Sequence, residues 1–153
     1  MKKNIINESV ISFPALSRNE SFARSAAAAF ASQTDPTVAE IAAVKTAVSE
    51  AVTNSIVHGY RDAAGTVTLV LRLYADGTLY IAVKDRGRGI ADITQAMQPM
   101  FSTAPAEEER SGLGFTVMES FMDSVRVRSA VGKGTTVVME KRMKSRERCL
   151  VGR

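Results

Sequence analysis

The stretch TVTLVLRLYADGTLYIAVKDRGRG, residues 66–89, decides the fold. Val67, Leu69, Leu71 and Leu73 alternate with Thr66, Thr68 and Arg72, the period of two expected of a strand with one buried face. Asp76-Gly77 is a turn pair, because glycine takes the positive φ that a tight hairpin needs. Leu79, Ile81 and Val83 alternate on the way back, and a glycine-rich turn, Asp85-Arg86-Gly87-Arg88-Gly89, follows directly. The pattern predicts an antiparallel hairpin. Downstream, residues 125–128, the turn Gly132-Lys133-Gly134 and residues 135–139 predict a second one.

Upstream the period changes to that of a helix. Ser17-Arg18-Asn19-Glu20 reads as a capping box, with Phe22, Ala26 and Phe30 at four-residue spacing, and predicts a helix over residues 18–33. Asp35 as cap and Pro36 at the first helical position predict a second helix reaching about residue 58. Its apolar stripe is Val38, Ile41, Val44, Val48, Val52 and Ile56, and Gly59 ends it. Residues 5–13, enriched in β-branched types, predict a first strand, and a short helix follows Gly114. Residues 95–110 lack an apolar period and carry the repelling run Glu107, Glu108 and Glu109, so they predict a lid. The expected fold is an α/β two-layer sandwich: an antiparallel-rich mixed sheet with three helices on one face.

Composition narrows the function classes. At 153 residues the chain has room for one domain, expected over residues 1–143, with residues 144–153 a frayed basic tail. The net charge of +4 is local: residues 141–153 hold six basic groups and one acid, leaving 14 basic against 15 acidic in the rest. With no tryptophan and no aromatic interleaving, no direct nucleic-acid partner is expected. Asn4, Asn7 and Glu8 interrupt any signal-like run after Met1-Lys2-Lys3, and the small-apolar run at residues 26–31 is far too short for a membrane span. One cysteine, Cys149, and one histidine, His58, exclude an internal disulfide and a Cys/His zinc site, so a bound ion would be held by oxygen. These features predict a reduced, cytoplasmic protein.

The chemistry-bearing residues fall in a fixed order. Glu50 and Asn54 lie four apart on the second helix, flanking the apolar stripe, and His58 continues their row. Alone, such a row reads as a solvated face. In Asp85-x-Gly87-x-Gly89 the strand delivers a carboxylate to its end, beside glycines that admit a flat ligand to the backbone. A tight turn would explain the same residues. Ser111-Gly112-Leu113-Gly114 opens the short helix, where successive backbone N–H groups can hold phosphate oxygens, and Arg110 beside it can meet a phosphate bidentately. Gly134-Thr135-Thr136 starts the last strand and by itself is turn chemistry.

Taken together, the order E-x-x-x-N, hairpin, D-x-G-x-G, lid, G-L-G and G-T-T resembles the GHKL nucleotide-binding superfamily over about residues 37–140. No Walker G-x-x-x-x-G-K-[ST] and no kinase H-R-D or D-F-G competes with it. The chain is little more than a nucleotide domain, which suits neither the multidomain clamp ATPases nor histidine kinases with their separate phosphoacceptor helix. Residues 15–24 (ALSRNESFAR), 48–54 (VSEAVTN) and 109–116 (ERSGLGFT) are similar to the stand-alone serine kinases of endospore-forming bacteria that act as anti-sigma-F factors. Only residues 1–9 and the basic tail after Met143 depart from that pattern.

The resemblance implies ATP or ADP and Mg²⁺ as ligands. It implies that Asp85 accepts from the adenine amino group, with Gly87 and Gly89 giving close approach and Thr135 or Thr136 supporting the base. Asn54 would hold Mg²⁺, Glu50 would act as general base, and Arg110, Ser111, Gly112 and Gly114 would close on the phosphates, Arg110 with a catalytic role. The implied function is an anti-sigma factor and protein serine kinase, which sequesters a sporulation sigma factor and phosphorylates its anti-anti-sigma antagonist. It is expected to be a homodimer meeting through the first strand and helix. Two alternatives stand beside this: a nucleotide-switched sequestering module without chemistry, and a bare ATPase.

Overall fold

Among the described residues the elements run β1 (Ile5–Pro14), α1 (Asn19–Ala31), α2 (Val38–Asn54), β2 (Thr66–Tyr74), β3 (Thr78–Asp85), α3 (Gly114–Phe121), β4 (Ser124–Ala130) and β5 (Gly134–Arg142). They are seen in a computed structural model that describes residues 4–60, 64–90, 97 and 114–144. Both hairpins form as expected, β2 with β3 and β4 with β5. The strands line up as β1-β2-β3-β5-β4. All four pairings are antiparallel, so the parallel share allowed by a mixed sheet is absent among the described residues.

Alternation along the strands sorts side chains to two faces. Phe13, Val67, Leu69, Leu71, Leu79, Ile81, Val83, Val137 and Met139 bury against the helices in one core. Val70, Ala82 and Val138 form a small buried row on the opposite face, with Tyr80 packed against it. The two layers are therefore a sheet and a helical layer built from α1, α2 and α3. No helix among the described residues is long and apolar enough to cross a membrane.

The helices depart from the sequence expectations in their caps and phase. Asp35 lies at φ 52°, left-handed, which puts Pro36 outside the helix. Thr37 is the cap of α2 instead: Glu40 N–H donates to Thr37 Oγ1 at 3.1 Å, and Thr37 N–H donates to Glu40 Oε1 at 3.0 Å. Val38 consequently sits in the first turn, 89% exposed and outside the stripe, while Ala43, Ala47 and Ala51 join Val44, Val48 and Val52 in the core.

The capping box expected at Ser17–Glu20 does not form. Asn19 Nδ2 donates to the Pro14 carbonyl at 2.9 Å, and the Glu20 carboxylate turns away to accept from Ser49 Oγ of α2 at 2.7 Å. The buried stripe of α1 is Ala23, Ala27 and Ala31, one residue out of phase with Phe22 and Ala26. Alanine lets α1 lie close against α2. Phe22 remains 51% exposed and meets Phe13 edge-on, ring centroids 6.1 Å apart. All but Met97 of the expected lid and all but Lys144 of the expected tail lie outside the described residues.

Candidate functional site

The site lies where the end of α2 meets the ends of β3 and β5. After Asn54 the helix widens into one π-type turn, Ser55–Gly59. This turn carries Asn54, Ser55, His58 and Gly59 onto the wall of a pocket of about 300 Å³, open to solvent, which Asp85, Gly89, Ile90, Phe115, Thr135 and Val137 also line. The pocket's mix of apolar walls and a few polar groups is the usual one.

Asp85 ends β3 inside the protein, 7% exposed. Burial pushes its carboxyl up from the ordinary carboxylate range, because the charged form loses water; the Gly87 N–H, the Ser55 hydroxyl and the Thr135 N–H oppose this by donating to it. The Gly87 N–H donates to Oδ1 at 2.9 Å. Gly59, read from the sequence only as a helix stop, makes room for this group: a methyl there would lie 3.0 Å from Asp85 Oδ1.

The glycines of the loop after β3 work against backbone. A methyl at Gly87 would come within 2.0 Å of the Gly59 carbonyl oxygen, and one at Gly89 within 2.2 Å of the Ala130 carbonyl oxygen. Gly134, at φ +100°, has the Asp85 carbonyl oxygen 2.1 Å from where its methyl would be. These contacts lock the loop between α2 and the β4–β5 turn, helped by Arg88 N–H to the Gly59 carbonyl at 2.9 Å and Gly132 N–H to the Arg88 carbonyl at 2.8 Å. Gly87 and Gly89 are thus required for packing, whatever they also give a ligand.

At the α3 end, Glu50 and Asn54 converge on Gly114. A methyl on Gly114 would sit 3.5 Å from Glu50 Oε2 and 3.8 Å from Asn54 Oδ1, so the helix start leaves these two oxygens room. Both are hard donors suited to a Mg²⁺–phosphate group, which needs few protein ligands of its own. No cluster of three or more His, Cys, Asp or Glu fit to hold a metal exists among the described residues, so an ion here would depend on Asn54 and phosphate oxygens together. The two threonines separate. Thr135 pairs with Asp85 and is buried beside it, whereas Thr136 pairs with Lys84 and points to the opposite face of the sheet. Arg110, Ser111 and Gly112 lie outside the described residues.

A scan of family models matches residues 13–141 to the histidine kinase-like ATPase domain. The chain belongs to that family. Curated relatives carry the name anti-sigma F factor. That of Geobacillus sp. (strain WCH70) is 53% identical over 135 residues, covering 88% of this chain and 92% of its own. That of Geobacillus thermodenitrificans (strain NG80-2) is 51% identical over 144 residues, covering 94% and 98%. The relative from Thermoanaerobacter sp. (strain X514) is 54% identical over 132 residues, covering 86% and 90%. Among solved structures, one holding RsbU and RsbW domains from Mycobacterium tuberculosis superposes with a TM-score of 0.66 at 21% identity. It covers 90% of this chain, which spans only 32% of that longer one. Full-length ShkA in complex with AMPPNP gives a TM-score of 0.58 at 17% identity, covering 92% of this chain and 32% of its own. At such identities the two structures speak for the fold alone.

Four contributors escape a reading of the sequence by motif. Ser55 donates to Asp85, Gly59 makes space for it, and Tyr60 Oη accepts from Arg86 N–H at 2.6 Å while donating to the Thr66 carbonyl at 2.8 Å. Ser129 is the fourth. The only signal for it is register, since it pairs directly with Thr135.

Proposed function

We propose that this chain binds ATP and Mg²⁺ in the pocket beside Asp85, phosphorylates a serine of an anti-anti-sigma protein, and in its nucleotide-bound form sequesters a sporulation sigma factor. One observation carries the reading: a buried carboxylate, Asp85, and the Asn54 amide line one pocket, and Asn54 Oδ1 meets Glu50 Oε2 beside the start of α3. Those groups suit a molecule that carries both a base and phosphates. The name of the relatives, at 51–54% identity over most of the chain, supports the sigma factor as partner.

Asp85 accepts from the exocyclic amine of adenine, with Thr135 beside it. Asn54 holds the metal through its amide oxygen. Bound Mg²⁺ neutralises charge on the phosphate oxygens. Glu50 orients the acceptor hydroxyl and takes its proton, a role that asks for a carboxylate and that nucleotide binding alone does not require. Arg110, Ser111, Gly112 and Gly114 contact the phosphates. The exposed β1 edge, with Ile6 62% and Val10 59% accessible, supports a homodimer formed through the first strand and helix.

Transfer of label from γ-labelled ATP, followed simultaneously on protein and as free phosphate, tests the reading. Label on a serine of the antagonist is the expected result. Free phosphate alone would make the chain an ATPase, and nucleotide-dependent sigma-factor binding without either product would make it a switch.

A further inference from the structure

The Ser129 hydroxyl sits at a junction of three polar groups. The Ile90 N–H donates to Ser129 Oγ at 2.7 Å, the Gly134 carbonyl oxygen lies 3.0 Å away, and Thr135 Oγ1 lies 2.8 Å away. A hydroxyl has one proton to give and two lone pairs to receive with. The amide of Ile90 can only donate, so it occupies one lone pair. The carbonyl of Gly134 can only accept, so it takes the single proton of Ser129. One lone pair is left, and Thr135 can meet it only by donating. With its proton directed to Ser129, the Thr135 hydroxyl has nothing but lone pairs to turn toward the pocket.

Thr135 stands opposite Asp85 across the β3–β5 pairing, and both line the pocket. An ionised carboxylate also only accepts. Two acceptors therefore lie side by side, matching an amino group, which brings two protons. A ring oxo group at the same place would face lone pairs with lone pairs.

We propose that Ser129 is a specificity-determining positioning residue: by taking the Thr135 proton it holds Thr135 as an acceptor beside Asp85, and so makes the pocket prefer a 6-amino over a 6-oxo purine. This rests on the reading of the pocket as an adenine nucleotide site. Ser129 also ties the loop at Ile90 to β4, and loss of that tie would weaken every nucleotide alike. Selectivity is what separates the two roles. In Ser129→Ala the Thr135 hydroxyl turns freely and can donate to an oxo group.

The test is calorimetric titration of the full chain with ADP and with inosine diphosphate, both with Mg²⁺, for wild type, Ser129→Ala, Ser129→Thr and Thr135→Val. Wild type should prefer ADP. Ser129→Ala should weaken ADP and leave inosine diphosphate unchanged or tighter, cutting the ratio about five- to tenfold, the worth of one hydrogen bond. Ser129→Thr, which keeps the hydroxyl, should restore the wild-type ratio. Thr135→Val should lose the same selectivity, and adding Ser129→Ala to it should change the ratio no further. Equal weakening of both nucleotides in Ser129→Ala, or an unchanged ratio, overturns the inference while leaving the adenine site standing. A wild type that binds neither nucleotide, or both equally, overturns the adenine reading and the inference with it. If Ser129→Ala does not fold, full selectivity in Thr135→Val is by itself decisive against the proposal.

Discussion

Asp85→Asn tests the pocket most directly. The wild-type carboxylate, 7% exposed, receives three protein donors: the Gly87 N–H, the Ser55 hydroxyl and the Thr135 N–H. An amide has one oxygen for these donors, and its NH₂ must then confront either one of them or the amine of the ligand. Losing a charged acceptor costs about 1.5–3 kcal/mol, and a buried donor left facing a donor adds about 1–3 kcal/mol. The sum corresponds to roughly 10²- to 10⁴-fold in ADP affinity. Calorimetric titration with ADP and Mg²⁺ reads it, and wild-type affinity in the variant would refute the placement of adenine at Asp85. The same substitution has a pH signature. Burial raises the folded-state pKa of Asp85 above its unfolded value, so the folded protein binds this proton more tightly. Its contribution to stability is then fully present below the unfolded value and is lost as pH rises through the folded one. Asparagine does not titrate. The stability of Asp85→Asn relative to wild type should therefore climb across that window and level off above it, as urea melts at a series of pH values would show. A difference that stays flat with pH would mean that the folded-state carboxyl is not raised.

Glu50→Gln keeps shape and hydrogen-bonding reach but cannot take a proton, so phosphoryl transfer should fall about 10²- to 10⁴-fold with ADP affinity and sigma-factor binding retained, measured on one preparation. Gly87→Ala places a methyl 2.0 Å from the Gly59 carbonyl oxygen and should cost about 1–3 kcal/mol or more in urea unfolding, with nucleotide affinity falling as the loop moves. Thr37→Ala removes a working cap far from the pocket; it should cost about 0.5–2 kcal/mol of stability while leaving ADP affinity unchanged. Thr136→Val changes the opposite face of the sheet, and calorimetry should find its ADP affinity equal to wild type.

Much of the molecule could be read from local pattern. Alternation over residues 66–85 encoded a hairpin because its period and its turn depend only on near neighbours. Glu50 and Asn54 shared a helical row for the same reason, although His58 falls in the π-type turn beyond it, and the order of motifs carried the nucleotide-binding reading. Caps and stripe phase were less legible: the left-handed Asp35 displaced the start of α2 to Thr37, and Glu20 found Ser49, a partner 29 residues away, instead of its own helix start.

Register and packing decided the rest. Thr135 and Thr136 are equivalent by composition, and the pairing of Asp85 with Thr135 alone sends one hydroxyl to the pocket and the other to the far face. Gly59, Gly87, Gly89 and Gly134 look like turn residues in the sequence, yet their missing side chains are demanded by oxygens of segments that only the folded sheet brings against them. Ser129 meets Ile90 across 39 residues, so its hydrogen bonds could not be foreseen from any neighbour in the chain. Hydrophobic period and turn chemistry are properties of a few consecutive residues, whereas a hydrogen-bond partner is chosen by which distant strands lie side by side.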